Sequence, residues 1–197
     1  SIGLIQTVVE YKGNGVSAVV GALKADKNNV VVLTSTDRSF VLKFVNFFYA
    51  EVFEKEDVSI SLLGMPKWRH FDNLEVENLH DLQFHIADNS YINYDRADVK
   101  QFVRKYRKVY DTEPSDRSFQ GYDIMMYFVS ALVQYGPGFI HCLPDFENTM
   151  LQTKFEFSDI CENGGIINTF IYLNVYDHEY NIVPLEMFLI SNTEEQE

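Results

Sequence analysis

Asn29-Val30-Val31-Val32-Leu33-Thr34-Ser35-Thr36-Asp37-Arg38-Ser39-Phe40-Val41-Leu42-Lys43-Phe44-Val45-Asn46-Phe47-Phe48-Tyr49-Ala50-Glu51-Val52-Phe53 is the stretch that decides the fold. Its first five residues are a β-branched apolar run without alternation, which predicts a strand buried on both faces of a parallel sheet. Four small polar residues, Thr34 to Asp37, then break the run and supply a helix cap. Phe40, Phe44, Phe47 and Phe48, with Val41, Val45 and Val52 beside them, recur at the i, i+3, i+4 spacing of a packed helical face. Strand, polar turn and helix N-terminus follow one another. Off the carboxyl ends of strands in open α/β sheets, helix N-termini offer free N–H donors, so Thr34 to Asp37 is the first candidate site.

Working toward the N-terminus, Leu4 to Tyr11 reads as a strand, Lys12 to Gly15 as a turn, and Val16, Val19, Val20 and Leu23 as a helix face. These form a βαβ unit with the Val30 strand, so the two strands should run parallel. Toward the C-terminus, a helix to Lys55 leads to a third strand, Val58 to Leu63, with Gly64-Met65-Pro66-Lys67-Trp68 as its exit. A short helix over Leu74 to Leu79 precedes a fourth strand, Leu82 to Ala87, which opens into Asp88 to Tyr94. Asp95 is expected to cap the next helix, with Asp98 in the manner of a capping box. Val99, Phe102, Val103, Tyr106 and Tyr110 are its expected buried stripe, and Lys100, Arg104, Lys105, Arg107 and Lys108 its solvated face. Phe119 to Tyr135 is apolar nearly all round, which predicts burial on most sides. Beyond it, Phe155 and Phe157 alternate with polar residues in strand fashion. Thr169 to Val175 and Ile182 to Ile190 predict a hairpin, and 191–197 a disordered tail. The fold class expected is α/β, a three-layer parallel sheet flanked by helices with a C-terminal antiparallel hairpin.

The chain has 197 residues, 46% hydrophobic and 15% aromatic, enough for one sizeable core or two small domains. A net charge of −13 repels phosphates and argues against a nucleic-acid partner. No apolar run reaches the ~18 residues of a membrane-spanning helix. The start at Ser1, without initiator Met or signal peptide, is read as a mature form or an excised piece. Cys142 and Cys161 leave two readings open, one disulfide or two free thiols.

Gly13-Asn14-Gly15-Val16-Ser17-Ala18 satisfies the G-x-G-x-x-A pattern of a dinucleotide-binding turn, with Asp37 about 20 residues later where a ribose-binding acid belongs. The alternative is a Gly-rich turn that starts a helix, because Glu10 and Lys12 put charges where such a fingerprint has a tight apolar strand end. His70, His80, His85, His141 and His178 show no chelating spacing. A zinc site from His141, Cys142, Cys161 and His178 would have to form from neighbours hard to aim at one ion. No nucleophile elbow or Walker loop occurs, so the reading is non-enzymatic, without metal or cofactor. Ser35, Thr36 and Asp37 can bind an ammonium or hydroxyl, and Trp68 and Tyr91 can supply apolar walls beside them. Each also has a structural role open to it: the first three as helix caps, Trp68 as core.

Val8-Val9-Glu10-Tyr11, Val30 to Leu33 with its hydroxyl exit, Leu63-Gly64, Val99-Lys100-Gln101-Phe102-Val103 to Tyr110, Glu113-Pro114 and Gly121-Tyr122-Asp123 before an apolar helix together resemble the type I periplasmic binding proteins. The match is to the branched-chain amino-acid-binding branch and to receptor-like extracytoplasmic proteins of Bacteroidetes, some with peptidoglycan-binding domains. It covers roughly residues 4 to 188 and is most specific over Phe102 to Leu132. The resemblance implies two lobes closing on a small polar ligand without chemistry, Thr34–Asp37 and Met65–Trp68 contacting it, and a first lobe that this C-terminal part lacks. It divides the chain into a ligand-binding lobe, 4–118, and a helix and hairpin region, 119–190, belonging to or bridging the second lobe. It implies a periplasmic or extracytoplasmic location, with a lipoprotein anchor as one form of the longer protein. The expected partners are a small-molecule ligand such as an amino acid, a membrane transporter of the ABC class or a cell-wall component, and a second copy as a homodimer. A dinucleotide-binding oxidoreductase domain and a cell-wall interaction module are the competing functions.

Overall fold

A computed structural model describes residues 5–11, 15–53, 55, 57–161 and 164–194. The first residue of the expected N-terminal strand, Gly13 and Asn14 of the glycine pattern, Glu162-Asn163 of the loop, and 195–197 of the tail lie outside them. The chain divides into two units, Ser1–Ala87 with Leu173–Glu197, and Asp88–Tyr172. The boundary drawn from sequence at 118/119 falls inside the second.

The first unit is α/β. Its helices are α1 (Gly15–Ala22), α2 (Arg38–Val52), α3 (Val76–Asp81) and α6 (Leu185–Glu194). Its sheet has the order β1 (Asn28–Val32), β2 (Ser59–Gly64), β3 (His85–Asp88), β6 (Tyr172–Tyr176) and β7 (Ile182–Pro184). β1, β2 and β3 run parallel, β1 meeting β2 from Asn28↔Ser59 to Val32↔Leu63, and β6–β7 is the antiparallel C-terminal hairpin. The α/β class and the hairpin are as the sequence predicts.

The core explains why. Val41, Phe44, Val45 and Phe48 on α2 are buried in one core with Leu62 of β2, Ile86 of β3, Phe84 and Trp68, against which Val31 of β1 and Leu33 just after it are packed. Phe44 and Phe48 stack at 5.4 Å. Phe47 departs from expectation: it points to solvent, since three residues on from Phe44 and one short of Phe48 it sits at the edge of the stripe. β1 departs too. Val30 and Val32 are 62% and 59% exposed, so the strand alternates and is covered on one face only. Residues 5–11 form no strand either. Among the described residues β1 is left as the edge of the sheet, paired with β2, and no strand precedes α1. Tyr11 holds the segment instead, its ring packed edge-on to Phe40 at 4.8 Å.

The second expected strand of the hairpin stops at Pro184, which has no N–H to continue a ladder and is tolerated because β7 is the sheet's edge. Leu185 onward is helix α6 up to Glu194, where strand and then disordered tail are expected. Leu185, Glu186 and Met187 are strong helix formers, which favours this outcome.

The second unit holds α4 (Ala97–Tyr110), α5 (Asp116–Tyr135) and a 3-10 segment (Gly136–Asp145). A short antiparallel pair, β4 (Phe157–Asp159) with β5 (Ile166–Asn168), completes it. α4 starts from Arg96 rather than Asp95: Arg96 grips Asp98, and Asp95 instead pairs with Lys100 at 3.0 Å. Its stripe is narrower than expected, with Val99 buried and Tyr110 62% exposed. α5 is the larger correction. Only Phe119, Asp123, Tyr127 and Ala131 are buried, a single i, i+4 row, while Met125, Val129, Leu132 and Val133 face solvent. A helix buries as much of its circumference as it has neighbours for, and α5 has them along one row. That row is well packed, with Tyr127 at 4.3 Å from Phe155 and 5.0 Å from Phe146 and its hydroxyl donating to the Phe146 carbonyl at 2.9 Å.

Candidate functional site

The exits of β1 and β2 are tied together. After Leu33, which continues the ladder by donating to the Leu63 carbonyl at 2.9 Å, the chain turns through Thr34 to Asp37. Ser35 Oγ accepts the Asp37 N–H at 3.2 Å, and Asp37 Oδ1 accepts the Phe40 N–H at 2.7 Å, which makes Asp37 the N-cap of α2. Residues that compete with the backbone for hydrogen bonds favour this kind of turn. At the β2 exit, the Trp68 N–H donates to the Met65 carbonyl at 3.0 Å, closing the 3-10 turn Pro66–His70. Across the gap, Trp68 Nε1 donates to the Ser35 carbonyl at 2.9 Å.

Of the residues singled out from sequence, Ser35, Asp37, Met65 and Trp68 are therefore linked by one run of hydrogen bonds. Thr36 stands exposed at the turn between Ser35 and Asp37, and Met65 is half-buried. Trp68 does not line an open wall. It is 1% exposed and stacks on Phe84 at 5.2 Å with ring planes 6° apart, so it is part of the core and acts on the turn through its N–H. Tyr91 belongs to the second unit, where its N–H donates to the Gln152 carbonyl at 3.0 Å and its ring lies 6.1 Å from Tyr172. Burial, and then the charge of Asp95, push its phenol above the ordinary value.

Arg38 was missed as a feature of this turn. It reaches Asp72, to the carbonyl at 3.2 Å and the carboxylate at 3.4 Å, placing an exposed cation beside Thr36 and Asp37. The first unit also holds a buried histidine, His80, whose Nδ1 meets the Asp177 carbonyl at 2.6 Å between the rings of Tyr176 and Tyr180, each 5.0 Å away. His85 is half-buried; desolvation lowers its pKa, although its contact with the Gln83 carbonyl opposes this.

In the second unit the sequence reading missed Asp123. Its carboxylate is fully buried and accepts the N–H groups of Leu151, Gln152 and Thr153 at 2.8, 2.8 and 2.9 Å. An acid in the middle of an apolar helical row is the signal that could have found it. Two cavities open in this unit. One, of about 200 Å³, is lined by Asp98, Gln101, Phe102, Lys105, Tyr122 and Met126 among others. Burial raises the Asp98 carboxyl, but the Arg96 guanidinium and the Val99 N–H outweigh it and hold it below the ordinary carboxylate value. The other, of about 130 Å³, lies around Gln152.

The dinucleotide reading finds little to stand on. Residues 5–11 provide no strand to lead into Gly15, which has φ +58° and starts α1, and Asp37 Oδ1 is engaged as a cap. Cys142 and Cys161 are free thiols. Among the described residues no three His, Cys, Asp or Glu side chains gather as a metal site, and no helix is long and apolar enough to cross a membrane.

No protein-family model and no curated protein matches the chain. Two solved structures are similar to it in part. An ABC transporter substrate-binding protein from Desulfitobacterium hafniense is 16% identical with a TM-score of 0.38, the match covering 71% of this chain and 39% of that one. An ABC transporter substrate-binding protein from the same organism, described as a complex with Leu, is 17% identical with a TM-score of 0.36, covering 70% and 39%. The chain spans 39% of the length of each neighbour, and a likeness this slight assigns no function to it.

Proposed function

We propose that this chain is a non-catalytic solute-binding domain that takes a small polar ligand, of the amino-acid class, at the exits of β1 and β2. The observation that carries the reading is the Trp68 Nε1 to Ser35 carbonyl bond, which fixes the polar turn Thr34–Asp37 against the neighbouring exit before any ligand arrives. A preordered polar turn at the carboxyl end of parallel strands is where such sheets bind ligands. In this reading Thr36 and Asp37 offer hydroxyl and carboxylate to the ligand and Met65 an apolar contact. Ser35 and Trp68 position the turn. The sequence resemblance to type I periplasmic binding proteins supports the same assignment, and with it an extracytoplasmic location and a membrane transporter as partner.

Titration of an amino-acid panel against the fluorescence of Trp68, the sole tryptophan, tests the reading. NAD, NADP and FAD serve as the competing arm. Saturable quenching by members of the amino-acid panel, lost in Thr36→Val, supports it. A response to dinucleotides alone overturns it.

A further inference from the structure

The basic run on α4 plays no part at the Thr34–Asp37 turn, and much of it is engaged locally. Lys100 pairs with Asp95 at 3.0 Å, Arg107 pairs with Glu113 at 2.7 Å, and Arg104 Nε donates to the Lys100 carbonyl at 3.1 Å. Lys105 is exposed and makes no ion pair or hydrogen bond among the described residues. It stands at the wall of the cavity of about 200 Å³.

Three elements build that cavity. From α4 come Asp98, Gln101, Phe102 and Lys105, at i, i+3, i+4 and i+7, which is one face of a helix. From α5 come Tyr122 and Met126, one turn apart. Residues 148–151 form the third side and are held in place: the Met150 carbonyl accepts from Arg96 Nη1 at 2.9 Å, and the Leu151 N–H donates to Asp123 at 2.8 Å. Walls fixed in this way lower the ordering cost of filling the space between them.

The two charges at the wall are not equivalent. Arg96 grips both carboxylate oxygens of Asp98, and the Val99 N–H donates to one of them at 2.9 Å, so this negative charge is already matched. Lys105 lies seven residues on, about 10 Å along the helix axis, and its charge is unmatched. Gln101, one turn before it, carries amide N–H donors at the same end. Beside them Phe102 and Tyr122 lie 4.8 Å apart with ring planes at 53°. Tyr122 and Met126 are 39% and 41% exposed, so a guest can reach both. A flat ring meets aromatic edges and a thioether well. A cavity of about 150 Å³ holds one benzene, so this one has room for a ring with a small head group.

We propose that this cavity binds a small aromatic monocarboxylate, its carboxylate on Lys105 Nζ and its ring against Phe102, Tyr122 and Met126. The chain as a whole, at a net charge of −13, repels such an anion, so binding depends on the local cation. The site lies wholly in the second unit and is independent of the Thr34–Asp37 turn.

Benzoate, benzamide, benzylammonium and acetate are titrated into the 197-residue chain while its amides are followed by ¹H–¹⁵N NMR. Benzoate should give a saturable shift at Gln101, Phe102 and Lys105, with a Kd on the order of millimolar for so small a probe. It should bind about threefold more tightly than benzamide, the difference that one solvent-exposed ion pair makes, and added salt should erode that preference. Benzylammonium and acetate should give no saturable shift. Lys105→Gln should abolish the preference for benzoate over benzamide, and Lys105→Glu should turn it toward benzylammonium; the side chain is exposed, so neither change disturbs packing. Equal affinity for benzoate and benzamide in the unaltered chain overturns the proposal. So does a benzoate response that Lys105→Gln leaves unchanged, or the absence of any saturable shift at Gln101, Phe102 and Lys105.

Discussion

Trp68 donates its indole N–H to the main-chain carbonyl of Ser35 across 2.9 Å, so a core side chain at the end of one strand fixes the polar turn at the end of its neighbour. The ring that does this is held flat against Phe84. Position and rigidity of the turn thus depend on packing some distance from any exposed group.

Gly64 is where that dependence can be tested. A Cβ there would come within 2.5 Å of Trp68 Cζ3 and 2.7 Å of Phe84 Cε2, distances at which the ring pair must move. Gly64→Ala should cost about 1–3 kcal/mol, as overpacking does. It should also alter the emission of the only tryptophan and disturb the Ser35 amide and its neighbours in NMR spectra. A variant as stable as the parent with unchanged fluorescence would show that the indole is not wedged as described.

Asp37 separates capping from ligand binding. Its Oδ1 caps α2 at 2.7 Å, and asparagine caps about as well as aspartate. Asp37→Asn should therefore keep thermal stability within ~0.5 kcal/mol while weakening any ammonium-bearing ligand. Asp37→Ala should cost about 1 kcal/mol in addition. Equal loss of stability in both variants, measured by denaturant unfolding, would contradict the cap.

Asp123 holds residues 151–153 in place through three N–H groups. Its replacement by alanine leaves buried donors without acceptors and should destabilise the second unit by roughly 3 kcal/mol or more. Hydrogen exchange at Leu151, Gln152 and Thr153 reads the effect directly, since their amides should lose protection before those of α2 in the other unit.

His85 gives a pH signature. Desolvation lowers its pKa from the ordinary 6.5, so the folded chain takes up this proton only at lower pH than the unfolded chain does. Its contribution is fully present above about 6.5 and is lost as pH falls through the lower folded value. Between pH 7.5 and 5.5 the parent should lose more stability than His85→Gln. Identical slopes for the two would remove the assignment.

The helices and inner strands of the first unit were legible because their apolar residues recur at periods that only one geometry satisfies. Phe44, Phe48 and Val45 reveal the face of α2 without reference to the rest of the chain, whereas Val30 to Val32 mark β1 as a strand but not which of its faces is covered. Legibility failed where the outcome depends on a neighbour that the local sequence does not name. Val30 reads as buried and is exposed, because burial of its face needs a covering element. Met125 and Val133 on α5 read as core for the same reason. Ile5 to Tyr11 has strand composition, yet it joins neither β1 nor any other strand of the sheet. Of the site, the turn Ser35–Asp37 and its meeting with Met65 and Trp68 followed from strand-exit topology. That Trp68 acts from inside the core did not, since an aromatic residue after Gly-Met-Pro-Lys fits wall and core equally.

The central claim, that a small polar solute is taken at the joined exits of β1 and β2, is tested most directly by ¹H–¹⁵N shift mapping during titration with an amino-acid panel. The account predicts a saturable response centred on the amides of Thr36, Asp37 and Met65 and on the Trp68 indole N–H, reduced in Thr36→Val. Shifts that gather around Gly15 to Val20 with dinucleotides, or no saturable shift at Thr36, Asp37 or Met65 with any amino acid of the panel, would contradict it.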